Sequence, residues 1–213
     1  MKTQTKETQQ KMTPQAALNM LIEGNTRFTE NVRGNRDLIE QVGETTNGQY
    51  PFAVILSCID SRVSAELVFD QGVSDIFSAR VAGNIINEDV LGSIEFACAA
   101  AGAKLIVVLG HSSCGAVKGA CDHRLNGDDG FPVNLVELLK KVHPAIDATH
   151  EDGDRSSANK DFVQRVTDLN VIMATQQLID QSAVLKKMLE EGEIGMVGAM
   201  YSVTTGQVAF GEL

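Results

Sequence analysis

"LIVVLGHSSCG", residues 105–115, begins with five consecutive apolar residues and then becomes polar. A short continuous apolar run of this kind is typical of a strand that is buried on both faces of a parallel sheet. "FAVIL" at residues 52–56 has the same character, and "SDIFSARVAGN" at 74–84 indicates a third strand. Between these strands, "EDVLGSIEFACAAAG" at 88–102 predicts a helix that stops at its final glycine. The alternation of strands and helices predicts an α/β fold with a mainly parallel sheet flanked by helices.

The N-terminal region adds a helical arm to this pattern. Residues 1–12 are polar and lack the apolar segment of a signal peptide, so we expect a flexible N-terminus. The pair Thr13-Pro14 is typical of a helix start, with threonine as the N-cap and proline in the first turn. We predict a helical arm over residues 13–32, whose apolar face is formed by Leu18, Leu21 and Ile22.

The C-terminal half continues the same domain. One helix is predicted over residues 133–148, and a long helix is predicted from about residue 157 to a break near 181, where a short helix follows. "GMVGAMYSV" and "QVAFG", which are separated by Thr-Thr-Gly, predict a closing hairpin. Since the sequence contains no internal repeat, residues 13–213 are expected to form a single domain.

Composition and charge exclude several classes of function. The formal net charge is -10, which disfavours sequence-independent binding of nucleic acid, because such binding requires Lys and Arg to neutralise phosphates. The sequence has no apolar window of the ~18 residues that a membrane helix needs. We therefore expect a cytoplasmic protein with no nucleic-acid or membrane partner. In that reducing compartment the cysteines should be thiols or metal ligands, and they are Cys58, Cys98, Cys114 and Cys121.

Potential metal ligands follow two of the predicted strands. Cys58 comes two residues after "FAVIL", and His111 and Cys114 come directly after "LIVVLG". Ligands of open parallel sheets bind outside the carboxyl ends of the strands, so these three side chains can meet there. Two cysteines and one histidine suit Zn²⁺, and three protein ligands leave a fourth position for water, as in catalytic zinc sites. Free cysteines are also common as small buried apolar residues, and the three residues alone leave both interpretations open.

An acidic and a basic residue stand beside the first of these cysteines. Asp60 and Arg62 are two positions apart, so on an extended segment their side chains point the same way and can pair. An arginine partner keeps a carboxylate ionised. A surface ion pair is the alternative interpretation, but it gives no reason for placing the pair next to Cys58. Cys98 and Cys121 fall on predicted helices and are interpreted as packing residues.

The combination of motifs resembles a known family. "CIDSRV", followed by "ARVAGN" and then by "GHSSCGAVKGA", is similar to the pattern of the β-class carbonic anhydrases, and the resemblance extends from about Thr13 to Phe210. It implies one zinc ion per chain, bound by Cys58, His111 and Cys114. It also implies reversible hydration of CO₂ to bicarbonate and a proton, in which zinc-bound hydroxide is oriented by the catalytic pair of Asp60 and Arg62.

The resemblance also implies a substrate pocket and an assembly. The candidates for the pocket are Gln49, Val63, Phe77 and Phe96. A homodimer or homotetramer is implied, with the sites near the subunit interface, and the helical arm is expected to pack on the partner. Two thiolates neutralise the charge of zinc, so activity is expected to improve towards alkaline pH.

Within this family the resting state of the aspartate differs between two types. One type carries a bicarbonate-binding regulatory site that involves a tryptophan, and Ile55 stands at the corresponding position here, in a chain that has no tryptophan. We therefore expect an open site, in which Asp60 is paired with Arg62.

Other functions are compatible with the same motifs. A hydrolase for carbonyl sulfide or carbon disulfide is the closest enzymatic alternative, because these molecules are also small linear heterocumulenes. A non-catalytic zinc or thiol sensor is the alternative from a different class, although Asp60 and Arg62 are not needed merely to hold a metal. His123, His143 and His150 are potential proton shuttles, but surface or packing roles are favoured for them.

Overall fold

One five-stranded sheet forms the centre of the computed structural model, which describes residues 1–128 and 130–213. The strands are β1 (Ala53–Ser57), β2 (Ile76–Arg80), β3 (Leu105–His111), β4 (Gly195–Tyr201) and β5 (Val208–Phe210). Their spatial order is β2-β1-β3-β4-β5. The first four strands are parallel, and β5 closes the sheet as the antiparallel partner of β4. The predicted α/β fold and C-terminal hairpin are thus confirmed.

Helices cover both faces of this sheet. The N-terminal half contains α1 (Lys6–Lys11), α2 (Pro14–Thr29), α3 (Leu38–Glu44), α4 (Ala65–Val68) and α5 (Glu88–Glu95), which continues as a π-helical turn over Phe96–Ala100. The C-terminal half contains α6 (Gly115–Asn126), α7 (Val133–Lys140), α8 (His143–Ala148), α9 (Lys160–Gln181) and α10 (Ala183–Glu190). No helix in the described ranges has the length and apolar character that crossing a membrane requires.

The two central strands explain the apolar runs of the sequence. Every residue of β1 and β3 is buried, because helices pack on both sides of them. On one face, Leu18 and Leu21 of α2 pack against β1 and β3, and on the other face Ile94 of α5 and Leu178 of α9 do so. The carboxyl ends of β1 and β3 are therefore fixed side by side, which is the condition for a site built from both of them.

The N-terminal region differs from its prediction in two respects. Within residues 1–12 the structure contains helix α1, whose buried Gln9 donates hydrogen bonds to the carbonyl oxygens of Pro51 (2.7 Å) and Ala101 (2.8 Å). The side-chain amide of Gln9 thus attaches the polar N-terminal segment to the rest of the chain. The amino-acid composition of that segment does not reveal such a contact. Leu18 and Leu21 of the expected apolar face of α2 are covered by the chain itself, whereas Ile22, which is 41% exposed, remains available to a partner.

The helix predicted over residues 133–148 is two helices, α7 and α8. Pro144 lies in the first turn of α8. A proline has no N–H group to bond to the carbonyl of residue 140, and its ring crowds that carbonyl, so α7 cannot continue through it.

Candidate metal centre

Two adjacent strand ends and one helix start bring the predicted ligands together. Ser57, the last residue of β1, lies beside Leu109 of β3, so Cys58 and His111 emerge next to each other. Cys114 follows at the start of α6, after a turn in which Ser113 has a left-handed conformation (φ 57°). The ligand atoms of Cys58, His111 and Cys114 all lie within 4.8 Å of one another, and all three residues are buried. The predicted convergence of these residues is confirmed.

The two thiols influence each other strongly. The pKa of Cys58 is lowered, first by the neighbouring thiol of Cys114 and then, against the effect of burial, by the side chain of His111 and the N–H groups of Gly83 and Asp60. The pKa of Cys114 is raised, because the protonated thiol is stabilised by the sulfur of Cys58 and because the group is buried. One sulfur of the pair is thus held as a thiolate.

The imidazole has the orientation that a metal ligand needs. The Nδ1 atom of His111 lies 3.0 Å from the carbonyl oxygen of Ser112 and can donate its proton there. This bond leaves the lone pair on Nε2, and Nε2 is buried with no hydrogen-bond partner among the described residues. A buried polar atom without a partner is unusual in a folded protein. A hydrogen bond from the second ring nitrogen to a carbonyl is the usual support of metal-bound histidines.

These donors fit zinc. Zn²⁺ binds thiolate sulfur at ~2.3 Å and histidine nitrogen at ~2.0 Å, which in a tetrahedral arrangement places two sulfur atoms ~3.8 Å apart. The observed limit of 4.8 Å between ligand atoms is therefore close to a tetrahedral triad. With only three protein donors in the cluster, one coordination position is left for a small molecule.

Asp60 and Arg62 form a bidentate ion pair beside this cluster. Arg62 Nε lies 2.9 Å from Asp60 Oδ1 and Arg62 Nη2 lies 2.8 Å from Asp60 Oδ2, while the Arg62 backbone N–H donates to Oδ1 at 3.0 Å. These bonds, led by the one from the Arg62 side chain, hold the pKa of Asp60 well below its usual range. Asp60 Oδ2 lies 3.9 Å from His111 Nε2. An ionised carboxylate thus faces the unpartnered ligand atom.

Two further residues hold the loop that carries Cys58, and sequence reasoning gave neither of them a role. Arg80 donates hydrogen bonds to the carbonyl oxygens of Cys58 (3.1 Å) and Asp60 (2.7 Å). The N–H of Gly83 donates to the sulfur of Cys58 at 3.3 Å. Pairing β1 with β2, which ends in the first two residues of "ARVAGN", would have revealed Arg80, because it lies beside Ser57 in the sheet.

Of the predicted pocket residues, Val63 lies near the cluster within one chain, whereas Phe77 and Phe96 lie away from it. Val63 is fully buried in the core, and its N–H donates to the carbonyl oxygen of Asp60. Phe77 and Phe96 contact each other edge to face, 6.2 Å between ring centres. Phe77 lies beside Val54 in the sheet, four positions before Cys58, which is ~13 Å along a strand.

Gln49 is placed at the opposite edge of the sheet from the cluster. It precedes β1 and lines a surface depression with Lys6, Tyr50 and Lys104. Residues before β1 and β3 lie at the amino ends of the strands, whereas Cys58 and His111 lie at the carboxyl ends. Within a single chain, Gln49 therefore cannot contact a molecule bound at the cluster.

The remaining histidines lie away from the cluster. His123 Nδ1 is 3.0 Å from His143 Nε2, and His123 Nε2 is 2.8 Å from Asp128 Oδ1. His123 is nine residues after Cys114 in the same helix, a separation of ~13 Å. His150 is exposed. This placement agrees with packing and surface roles.

Comparison with known proteins gives one consistent family. The family model described as "Carbonic anhydrase" matches residues 53–208. "Carbonic anhydrase 2" of Mycobacterium tuberculosis is 36% identical over 196 residues, which cover 91% of each chain. "Carbonic anhydrase" of Mycolicibacterium smegmatis is 37% identical over 198 residues, covering 92% of each. The solved structure of the β-carbonic anhydrase CcaA is 29% identical, covers 91% of this chain and 86% of its own, and superposes with a TM-score of 0.69.

Proposed function

The chain belongs to the carbonic anhydrase family, in its β class, and we propose on this basis that one zinc ion, held by Cys58, His111 and Cys114, and the ionised Asp60 together catalyse the reversible hydration of CO₂ to bicarbonate and a proton. The observation that carries the proposal is the buried, unpartnered Nε2 of His111, which lies between two thiols and a carboxylate. No packing role explains that combination.

The protein side of the metal site is preorganised in this proposal. Bound zinc would supply a Lewis acid that makes water ionise near neutral pH. The carbonyl of Ser112 fixes the imidazole of His111 so that the lone pair of Nε2 is free to bind a metal. The N–H of Gly83 donates a hydrogen bond to the sulfur of Cys58. The N–H groups of Ala116 and Val117 at the start of α6 favour the thiolate of Cys114. All three ligands are thus held in place before the ion binds.

Asp60 would act as the acceptor that orients the reacting water. Because Arg62 holds its pKa low, the carboxyl is ionised throughout the neutral range and cannot donate a proton. Each carboxylate oxygen has two lone-pair directions, so Asp60 Oδ2 can accept from Arg62 and from water at once. An oriented water points a lone pair at the carbon of CO₂, and Arg62 keeps Asp60 in place.

The substrate pocket would be completed by a second subunit. Gln49, Phe77 and Phe96 are far from the cluster of their own chain, so we propose that they reach the metal centre of another copy. Phe96 is 56% exposed, and Ile39 and Val42 of α3 are also exposed apolar residues. Such residues are common at subunit interfaces. The four free thiols fit a reducing compartment, and we propose the cytoplasm.

The expected assembly is a homodimer or homotetramer. Sedimentation of the wild-type protein at micromolar concentration should give a mass that is a multiple of the 22.9 kDa chain. An active protein that sediments as a monomer would refute the pocket proposed from two subunits.

Stopped-flow measurement of CO₂ hydration, on protein whose zinc content has been quantified, tests the function. We expect hydration above the buffer rate, and we expect the rate to rise towards alkaline pH, because two thiolates reduce the charge that zinc exerts on water. Parallel turnover of carbonyl sulfide and carbon disulfide separates the related hydrolases. Zinc-replete protein that hydrates no CO₂ at any pH would instead favour a zinc or thiol sensor.

A further inference from the structure

The sulfur of Cys58 is held by a tight turn after β2. Gly83, whose N–H donates to that sulfur, has a left-handed conformation (φ 70°), and the next residue, Asn84, is also left-handed (φ 44°). The N–H of Asn84 donates to the carbonyl oxygen of Val81 at 2.9 Å, which closes the turn. Glycine adopts this conformation without strain but does not enforce it, because it is the most permissive residue. The direction of the Gly83 N–H therefore depends on contacts from outside the turn.

A helix that is distant in sequence supplies such a contact. Asn170 of α9 donates from Nδ2 to the carbonyl oxygen of Gly83 at 2.9 Å, across 87 positions of sequence. Its side chain is 5% exposed, so water does not compete for this bond. A Cβ atom at Gly83 would lie 3.4 Å from Ala116 of α6 and 3.6 Å from Val142. The turn is thus closely packed, and Asn170 fixes the carbonyl group of Gly83.

We infer that Asn170 is a positioning residue of the metal centre: by holding the carbonyl of Gly83, it aims the N–H of Gly83 at the sulfur of Cys58. A hydrogen bond from an N–H to a charged acceptor is stronger than one to a neutral group, so the bond stabilises the thiolate that binds metal. The inference rests on the proposed zinc ligands, because Asn170 acts on the metal only through Cys58.

The competing explanation is that Asn170 merely satisfies a buried carbonyl. Thr167, one turn earlier in α9, provides the matched control. It is 1% exposed and donates to the carbonyl oxygen of Val163 within its own helix at 2.7 Å. Thr167→Val removes a buried hydrogen bond from the same helix but leaves the hydrogen bond between Asn170 and Gly83 in place. Thr167→Val and Asn170→Leu thus separate an effect on stability from an effect on the metal.

The experiment measures metal binding directly in full-length wild type, Asn170→Leu and Thr167→Val. Competition with a chelator gives the Zn²⁺ affinity, the charge-transfer band between sulfur and Co²⁺ reports on the thiolates in the cobalt-substituted protein, and thermal unfolding reports on stability. We expect Asn170→Leu to lose ~10-fold or more in Zn²⁺ affinity, as for other residues that orient ligands, and to shift the band. Thr167→Val should keep both at the wild-type values, whatever its unfolding temperature.

The inference is overturned if Asn170→Leu keeps the affinity and the band, or if both variants lose affinity alike. If Asn170→Leu does not fold, Asn170→Ala is judged by the same two outcomes. Failure of the proposed function looks different: wild-type protein would then lack a cobalt spectrum with thiolate ligands. If the wild-type protein shows a cobalt spectrum with thiolate ligands and the Asn170 variants show the same spectrum and affinity, only the inference about Asn170 is refuted.

Discussion

Cys58→Ser should empty the metal centre and reduce CO₂ hydration to the rate of the buffer. A serine hydroxyl does not ionise near neutral pH, so the site would lose one of its two thiolates and keep a thiol and an imidazole. Two protein ligands are fewer than the three that catalytic zinc sites use. Zinc per chain, measured by atomic absorption on purified protein, should fall from about one to near zero, and the hydration rate should fall with it.

The control for this prediction is Cys98→Ser. Cys98 is also buried, but it lies on the π-helical turn after α5, and burial raises the pKa of its thiol to about 12. A protonated thiol that packs against apolar residues is not a metal ligand, so this variant should retain zinc. If Cys98→Ser empties the site and Cys58→Ser does not, the ligand assignment is wrong.

The fold could be predicted where burial leaves a direct trace in the sequence. The continuous apolar runs at residues 52–56 and 105–109 became the two central strands, because a strand covered on both faces must be apolar at every position. The same reasoning placed Cys58 and His111 together, since the carboxyl ends of neighbouring parallel strands meet at one edge. The proximity of these side chains was therefore predictable from order and spacing, whereas their interpretation as zinc ligands came from the family resemblance.

Contacts between a side chain and a distant backbone group left no such trace. Gln9 anchors α1 through hydrogen bonds to two carbonyl groups, and Asn170 holds the carbonyl of Gly83. Glutamine and asparagine are mostly found on protein surfaces, so the residue type alone does not indicate a buried contact. Only tertiary structure gives these amides their partners. Gln49, Phe77 and Phe96 were named from the family resemblance, and their separation from the cluster of their own chain likewise became visible only in the tertiary structure.

Asp60→Asn should slow CO₂ hydration while zinc stays bound. The amide has nearly the shape of the carboxylate, but it lacks the charge, and one of its two terminal atoms is a donor. A positioned group that accepts a proton or a hydrogen bond in the reaction contributes ~10²- to 10⁴-fold, so we expect kcat/KM to fall by about that factor. Zinc content should be unchanged, because Asp60 is not one of the three ligands. Wild-type kcat/KM in zinc-replete Asp60→Asn would mean that the carboxylate only ties the loop to Arg62.

The pH profile of Arg62→Gln tests whether Arg62 controls the ionisation of Asp60. Arg62 lowers the pKa of Asp60, first through its side-chain hydrogen bonds, so its removal must raise that pKa towards the usual range. A carboxyl with a higher pKa is protonated first on the acid side. The loss of activity should therefore be largest at low pH and smallest at alkaline pH, and Arg62→Lys, which keeps the charge but not the two-point geometry, should fall between the two. A loss that is equal at every pH would show that Arg62 acts by fixing the position of Asp60 and not its ionisation, since position, unlike charge, does not titrate.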